Sequence, residues 1–168
     1  MTGGDWILCE RSRRWASALR LALSRGDSRF PPRRFNESRT LAQALLQLAA
    51  WPQSLVLIEV NSANLADVLD WLAATTPQFS AARFAALLDS EFFAAPAAGS
   101  AAGASGGGEV RDILAEAGMS AAAISPRRLR DVLALAEKHA LRVAQPATPL
   151  ADQSFEAWAW SLLPWQDA

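Results

Sequence analysis

The run at residues 54–60, S-L-V-L-I-E-V, restricts the fold of this chain more than any other feature. It is apolar at nearly every position, rich in β-branched residues and free of Gly or Pro, so it reads as a strand in the middle of a sheet. A strand of this kind needs cover on both faces, which is the situation of a parallel sheet flanked by helices. The N-terminal region agrees. Trp6-Ile7-Leu8-Cys9 is a short buried strand ended by Glu10, and Trp15, Ala18, Leu19, Ala22 and Leu23 follow at the spacing of one helical face.

The same alternation continues along the chain. Gly26-Asp27 and Pro31-Pro32 are breakers, after which Arg34-Phe35-Asn36 leaves room only for a short strand. Thr40 with Gln43 three residues later forms a capping box for a helix with the stripe Leu41, Ala44, Leu45 and Leu48, stopped by Trp51-Pro52. Asn64 is positioned to cap a third helix, with Leu65, Val68, Leu69 and Leu72 inward and Pro77 beyond its end. Residues 82–88 are Ala-rich and fit strand or helix; their place after a turn favours strand. Val110, Ile113, Leu114 and Ala117 make a short helix closed by Gly118, residues 121–124 a small-residue strand, and Ser125-Pro126 the cap and first turn of a last helix facing inward through Leu129, Val132, Leu133 and Ala136.

Five strands alternating with five helices predict a three-layer α/β domain with a five-stranded parallel sheet. Its expected extent is residues 1–144, interrupted at 94–108 by a Gly/Ala-rich segment with no periodic apolar face, which predicts a flexible loop. Residues 145–168 form a Pro-containing linker and a Trp-rich segment.

Composition removes several kinds of function. Sixteen Lys plus Arg against seventeen Asp plus Glu leaves a net charge of -1, with no global attraction to nucleic acid or an acidic membrane. One cysteine precludes an internal disulfide, and one Cys with one His cannot supply a usual zinc shell. Cys9 reads as a small buried hydrophobe of the first strand, and His139 as a surface residue near a helix C-terminus. No apolar run is long enough to span a bilayer and no secretory signal is evident at the N-terminus, so the expected location is cytoplasmic. No cofactor is expected.

Ala117-Gly118-Met119-Ser120-Ala121-Ala122-Ala123-Ile124-Ser125-Pro126 resembles the end of the response-regulator receiver (CheY-like) domain, where Ala-Gly-Ala, a small strand and Lys-Pro lead into the final helix. Leu55-Val56-Leu57-Ile58-Glu59 is similar to that family's third strand, which ends in the phosphate-accepting aspartate, and residues 7–10 to its first strand, which leads into paired acids. The resemblance covers roughly residues 5–142 and implies flavodoxin-like topology. It also implies a transfer pocket of an Asp nucleophile, an acidic pair holding magnesium, a hydroxyl residue and a lysine.

This chain departs from that set. Glu59 stands at the aspartate position, Glu10 keeps one acid while Arg11 replaces the other, Asp89 (or Ser90, one residue on) occupies the hydroxyl position, and Ser125 replaces the lysine. The only Lys is Lys138, and Ala122 falls where the switch aromatic usually stands. The expectation is a degenerate pocket without metal, in which Arg11 pairs with Glu59, Glu10 or Asp89, since a guanidinium can serve two carboxylates. The bland alternative leaves these groups facing solvent at the sheet edge. The resemblance further implies a cis Ser125-Pro126 bond.

The function so implied is that of a pseudo-receiver: a phosphorylation-independent, non-enzymatic protein-protein interaction module in bacterial-type signal transduction. The alternatives are a small-ligand or cofactor-binding enzyme domain on the same fold, or an active receiver phosphorylated at Glu59. Nine arginines between Arg11 and Arg39 could meet an acidic partner, but they also suit a solvated face, and nucleic acid ranks behind protein as a partner. The sharper candidate is S-F-E-A-W-A-W-S-L-L-P-W. Phe155, Trp158 and Leu162 share one helical face, Trp160 lies on another, and Pro164 ends the pattern before Trp165. Two placements remain open for it: covering a groove on its own domain, or docking into a partner protein or a second copy of the chain.

Overall fold

The run at 55–60 forms the middle strand of the sheet. In the computed structural model, which describes residues 3–93 and 106–145, β3 (Leu55–Val60) is buried at all six positions. It lies between β1 (Gly3–Cys9) and β4 (Arg83–Leu88), with β2 (Pro32–Ser38) and β5 (Met119–Ala123) on the edges, in the order β2-β1-β3-β4-β5 and parallel throughout. The topology is flavodoxin-like, as expected.

Alternation along the strands sorts side chains into two cores. Leu55 and Leu57 join Trp6, Leu8, Trp15, Leu19 and Val132 under α1 (Arg14–Ser24) and α5 (Arg130–Ala144). Val56, Ile58 and Val60 join Ile7, Leu48, Leu72, Phe84 and Leu114 under α2 (Leu41–Ala50), α3 (Leu65–Thr75) and α4 (Gly106–Glu116). Each fully buried Leu or Ile of these layers contributes about 1.5–3 kcal/mol relative to exposure. Trp71 packs edge-on against Phe84, as its place on a helix surface predicts. Among the described residues no helix is long and apolar enough to cross a membrane.

The Thr40 capping box forms: Thr40 Oγ1 accepts from the Gln43 N–H at 3.2 Å, and Gln43 Oε1 accepts from the Arg39 N–H at 2.9 Å. Other expectations need correction. The second strand spans seven residues instead of three, because an edge strand paired only with β1 needs little apolar content, and its Arg33 and Arg34 sit at the exposed rim. The last segment of the 94–108 loop is helical, since α4 begins at Gly106; residues 94–105 lie outside the described residues, as does the tail from 146 onward. Asn64 does not cap α3 with its side chain; its amide donates to the Glu59 carbonyl and accepts from the Asn61 N–H, bracing the β3–α3 loop.

The β5–α5 connection also differs. Ser125 and Pro126 do not open α5, which starts at Arg130. They form a turn in which the Ser125 carbonyl accepts from the Arg128 N–H at 3.0 Å and Ser125 Oγ from the Arg127 N–H. Proline second in such a turn suits a trans bond, and no cis peptide occurs among the described residues, so the implied cis Ser125-Pro126 bond is not found.

His139 is the remaining correction. It is buried, on the inner face of α5 with Val132 and Ala136, and its Nε2–H donates to the Gln53 carbonyl at 2.6 Å. Burial lowers its pKa from the usual 6.5, against the opposing effect of the Gln53 hydrogen bond. The folded form therefore binds its proton less readily than the unfolded one. Its contribution to stability is complete above pH 6.5 and is lost as pH falls through the folded pKa. Urea unfolding between pH 7.5 and 5.5 should show wild type losing stability, at no more than about 1.4 kcal/mol per pH unit for one proton, with a shallower slope for His139→Gln.

Candidate functional site

In a parallel sheet of this order the loops after β1 and β3 diverge, and the crevice at the strand carboxyl ends is where such folds place their chemistry. Glu10 follows β1, Glu59 is the penultimate residue of β3, and Asp89 follows β4, so the topology brings the three carboxylates to one edge. Glu10 and Glu59 are buried.

Glu10 turns back on its own loop. Its Oε2 accepts from the Trp15 N–H and its Oε1 from the Ala16 N–H, both at 2.9 Å, with the Ser12 hydroxyl at 3.5 Å. These are donors of the first turn of α1, and Arg13, at the cap position, gives them no side-chain acceptor. Glu10 thus does the capping from before the loop. Arg13 is left-handed, φ 61° and ψ 4°, a conformation costing about 1–2 kcal/mol for a residue with a Cβ. Hydrogen bonds to a charged carboxylate, each worth about 1.5–3 kcal/mol, offset it.

Glu59 holds the other half of the loop. Its Oε2 accepts from the Arg11 N–H at 2.7 Å and the Ser12 N–H at 3.1 Å. Its Oε1 lies 4.0 Å from Arg14 Nη2, which is 3.3 Å from Asp89 Oδ2. The expected guanidinium clamp exists, but Arg14 forms it and Arg11 does not. The loop folds its backbone over Glu59, so Arg11 donates through its N–H while its side chain is exposed. The first residue of α1 then carries its guanidinium across to Asp89. The usable signal was the position of Arg14 at the start of a helix whose N-terminus faces the strand ends.

Burial works to raise the Asp89 carboxyl, but the Ser90 N–H and the Arg14 charge outweigh it and hold the group below the usual carboxylate range. The Ser90 hydroxyl also donates to Asp89 Oδ1 at 3.2 Å. Ser125 is not part of this assembly: its hydroxyl is engaged in its own turn, and it makes no hydrogen bond to Glu10, Glu59 or Asp89 among the described residues. Burial pushes the Cys9 thiol up, as suits an inert core residue. Beside the loop, Arg11 and Arg39 line a crevice of about 380 Å³ between the starts of α2 and α3. The candidates Phe155, Trp158, Trp160, Leu162 and Trp165 lie outside the described residues.

The receiver fold implies a magnesium ion, and the donor set here does not fit one. Both Glu10 oxygens accept from backbone N–H groups of α1, Glu59 Oε2 accepts from two more, and Arg14 brings a fixed cation near Glu59 Oε1 and Asp89 Oδ2. Among the described residues no three His, Cys, Asp or Glu side chains converge in a metal-holding group.

No known family profile matches the chain, and no curated protein matches it either. Solved structures do. A CheY-like protein (TadZ) from Pseudomonas aeruginosa superposes with a TM-score of 0.57 at 10% identity, covering 81% of this chain and 98% of its own. A protein assigned to pilus assembly (CpaE) from Burkholderia thailandensis aligns with a TM-score of 0.46 at 18% identity, covering 82% of this chain and 99% of its own. At such identities the first match establishes the fold, which is receiver-like.

Removing the acceptor at Glu10 strands two buried N–H groups at the start of α1. Glu10→Ala should lower the unfolding free energy by about 1–3 kcal/mol in urea titrations, and Glu10→Gln, which keeps one oxygen, by less.

Proposed function

We propose that this chain is a receiver-fold recognition module of bacterial-type signalling that works in the cytoplasm without accepting a phosphoryl group, its output being contact with another protein. The observation that carries this reading is the consumption of the pocket's carboxylates by the β1–α1 backbone and Arg14. A phosphoryl acceptor needs a free carboxylate oxygen in line with the donor and a cation able to follow the transferred charge. Here Glu59 offers one oxygen already opposed by a guanidinium, and Arg14 is tied to Asp89.

Loss of both ends of the usual switch supports the same reading. Ala122, half-buried on β5, has no rotamer with which to report a change at Glu59. The lysine position is filled by Ser125 in a turn of its own. The fold supplies helices and an edge strand as contact surfaces, and a second copy of the chain belongs to the same class of partner.

The test is a titration of the full chain with Mg²⁺ and beryllofluoride, followed by amide spectra and sedimentation. The expected result is no saturable shift at residues 10–14, 59 or 89 and no change in oligomeric state. Saturable binding, or incorporation of phosphate on Glu59 from a small phosphodonor, would overturn the reading.

A further inference from the structure

A concavity of about 690 Å³ is on the helical face away from the carboxylate loop's crevice, between α1 and α5. Ala18, Leu21, Leu129 and Leu133 give it an apolar floor, and Leu21 is 50% exposed. Leu141, 48% exposed, extends the same i+4 row of α5 from Leu133 towards the helix end. The rim is basic. Arg25, Arg127 and Arg130 line it, and none has a carboxylate within ion-pair distance among the described residues. Of the two acids present, Glu137 is engaged by the Arg29 N–H.

The chain carries a segment of matching chemistry a short distance away. Residues 146–168 contain Asp152, Glu156 and Asp167 and neither Lys nor Arg. Phe155, Trp158 and Leu162 fall on one face of a helical pattern. Length permits a return. From Gln145 back along α5 the distance is about 12 Å to Glu137 and about 24 Å to Leu129 at 1.5 Å per residue. Residues 146–153, with Pro146 and Pro149 favouring extension, span at most about 26–29 Å. As a helix, residues 154–163 would measure about 15 Å, against about 12 Å for the stretch of α5 from Leu129 to Glu137 that lines the groove.

We propose that the α1/α5 groove is the docking site of this chain's own C-terminal segment, residues 154–165, bound intramolecularly with Phe155, Trp158 and Leu162 on the leucine floor and Glu156 and the remaining indoles against Arg25, Arg127 and Arg130. This does not rest on the phosphorylation-independent reading and survives its failure.

The experiment uses the full chain with a nitroxide on Ala157→Cys, on the face opposite Phe155, Trp158 and Leu162; buried Cys9 is left unmodified. The expected result is loss of most amide intensity at residues 18–25 and 127–137, with α3 unaffected. Leu21→Asp, at a half-exposed site that leaves the core intact, should restore those intensities while the rest of the spectrum is unchanged. Full intensity along both helices in the labelled chain would overturn the proposal. So would broadening that appears only when spin-labelled chains are mixed with ¹⁵N-labelled ones, which would assign the groove to a second copy.

Discussion

A buried carboxylate must be met by hydrogen-bond donors or it loses more in dehydration than packing returns. Glu59 meets that condition by drawing the N–H groups of Arg11 and Ser12 onto one oxygen, which ties the central strand to the loop after β1. Much of the upper edge follows from this bond. Once Arg11 and Ser12 face down, the chain must reverse within two residues to start α1, and the reversal puts Arg13 in the left-handed region. Helix α1 then begins directly over Glu10, whose two oxygens take its first free donors. Arg14, the first helical residue, is left pointing across the edge at Asp89.

Such an arrangement solves with organic donors a problem that receiver-like folds otherwise solve with a divalent ion. Carboxylates gathered at strand ends repel one another unless donors or cations meet them. A magnesium ion relieves that repulsion but exchanges with solvent and with ligand. Backbone N–H groups and a guanidinium relieve it permanently, with fixed directions. These fixed donors stabilise the edge. Glu59 has one more methylene than aspartate, and that extra reach is what brings its oxygen to the loop's N–H groups from a position inside the strand.

How much of this was legible in the sequence depended on whether side-chain pattern or backbone path decided the outcome. The middle strand, the alternation of elements and the Thr40 cap follow from apolar periodicity and local donors, and each is present. The edge strand was underestimated because pairing on one side makes few demands on composition. The burial of His139 was readable, since it is three residues from Ala136 and seven from Val132 on the same helical face, but its polarity argued the other way. Its Nε2 is met by a carbonyl eighty-six residues distant, which no local pattern reveals. Arg14 taking the role expected of Arg11 is of the same kind: four neighbouring residues offer arginines at 11, 13 and 14, and only the left-handed turn between them decides which guanidinium faces inward. The trans Ser125-Pro126 bond likewise depends on a turn closed by Arg128.

A pocket braced in this way moves any variable part of the molecule elsewhere. The inner strands β1, β3 and β4 are buried on both faces and closely packed, which leaves them little room to rearrange. Helices α1 and α5 are different. They meet the sheet through Trp15, Leu19, Val132 and Ala136, while the seam between them stays open above Leu129 and Leu133 and is edged by guanidiniums that make no ion pair among the described residues. Filling or emptying that seam changes exposed apolar area and surface charge without disturbing a single bond of the carboxylate loop. On the proposed reading, a receiver-like fold whose carboxylate edge is held by backbone N–H groups and a guanidinium varies its surface on its helices.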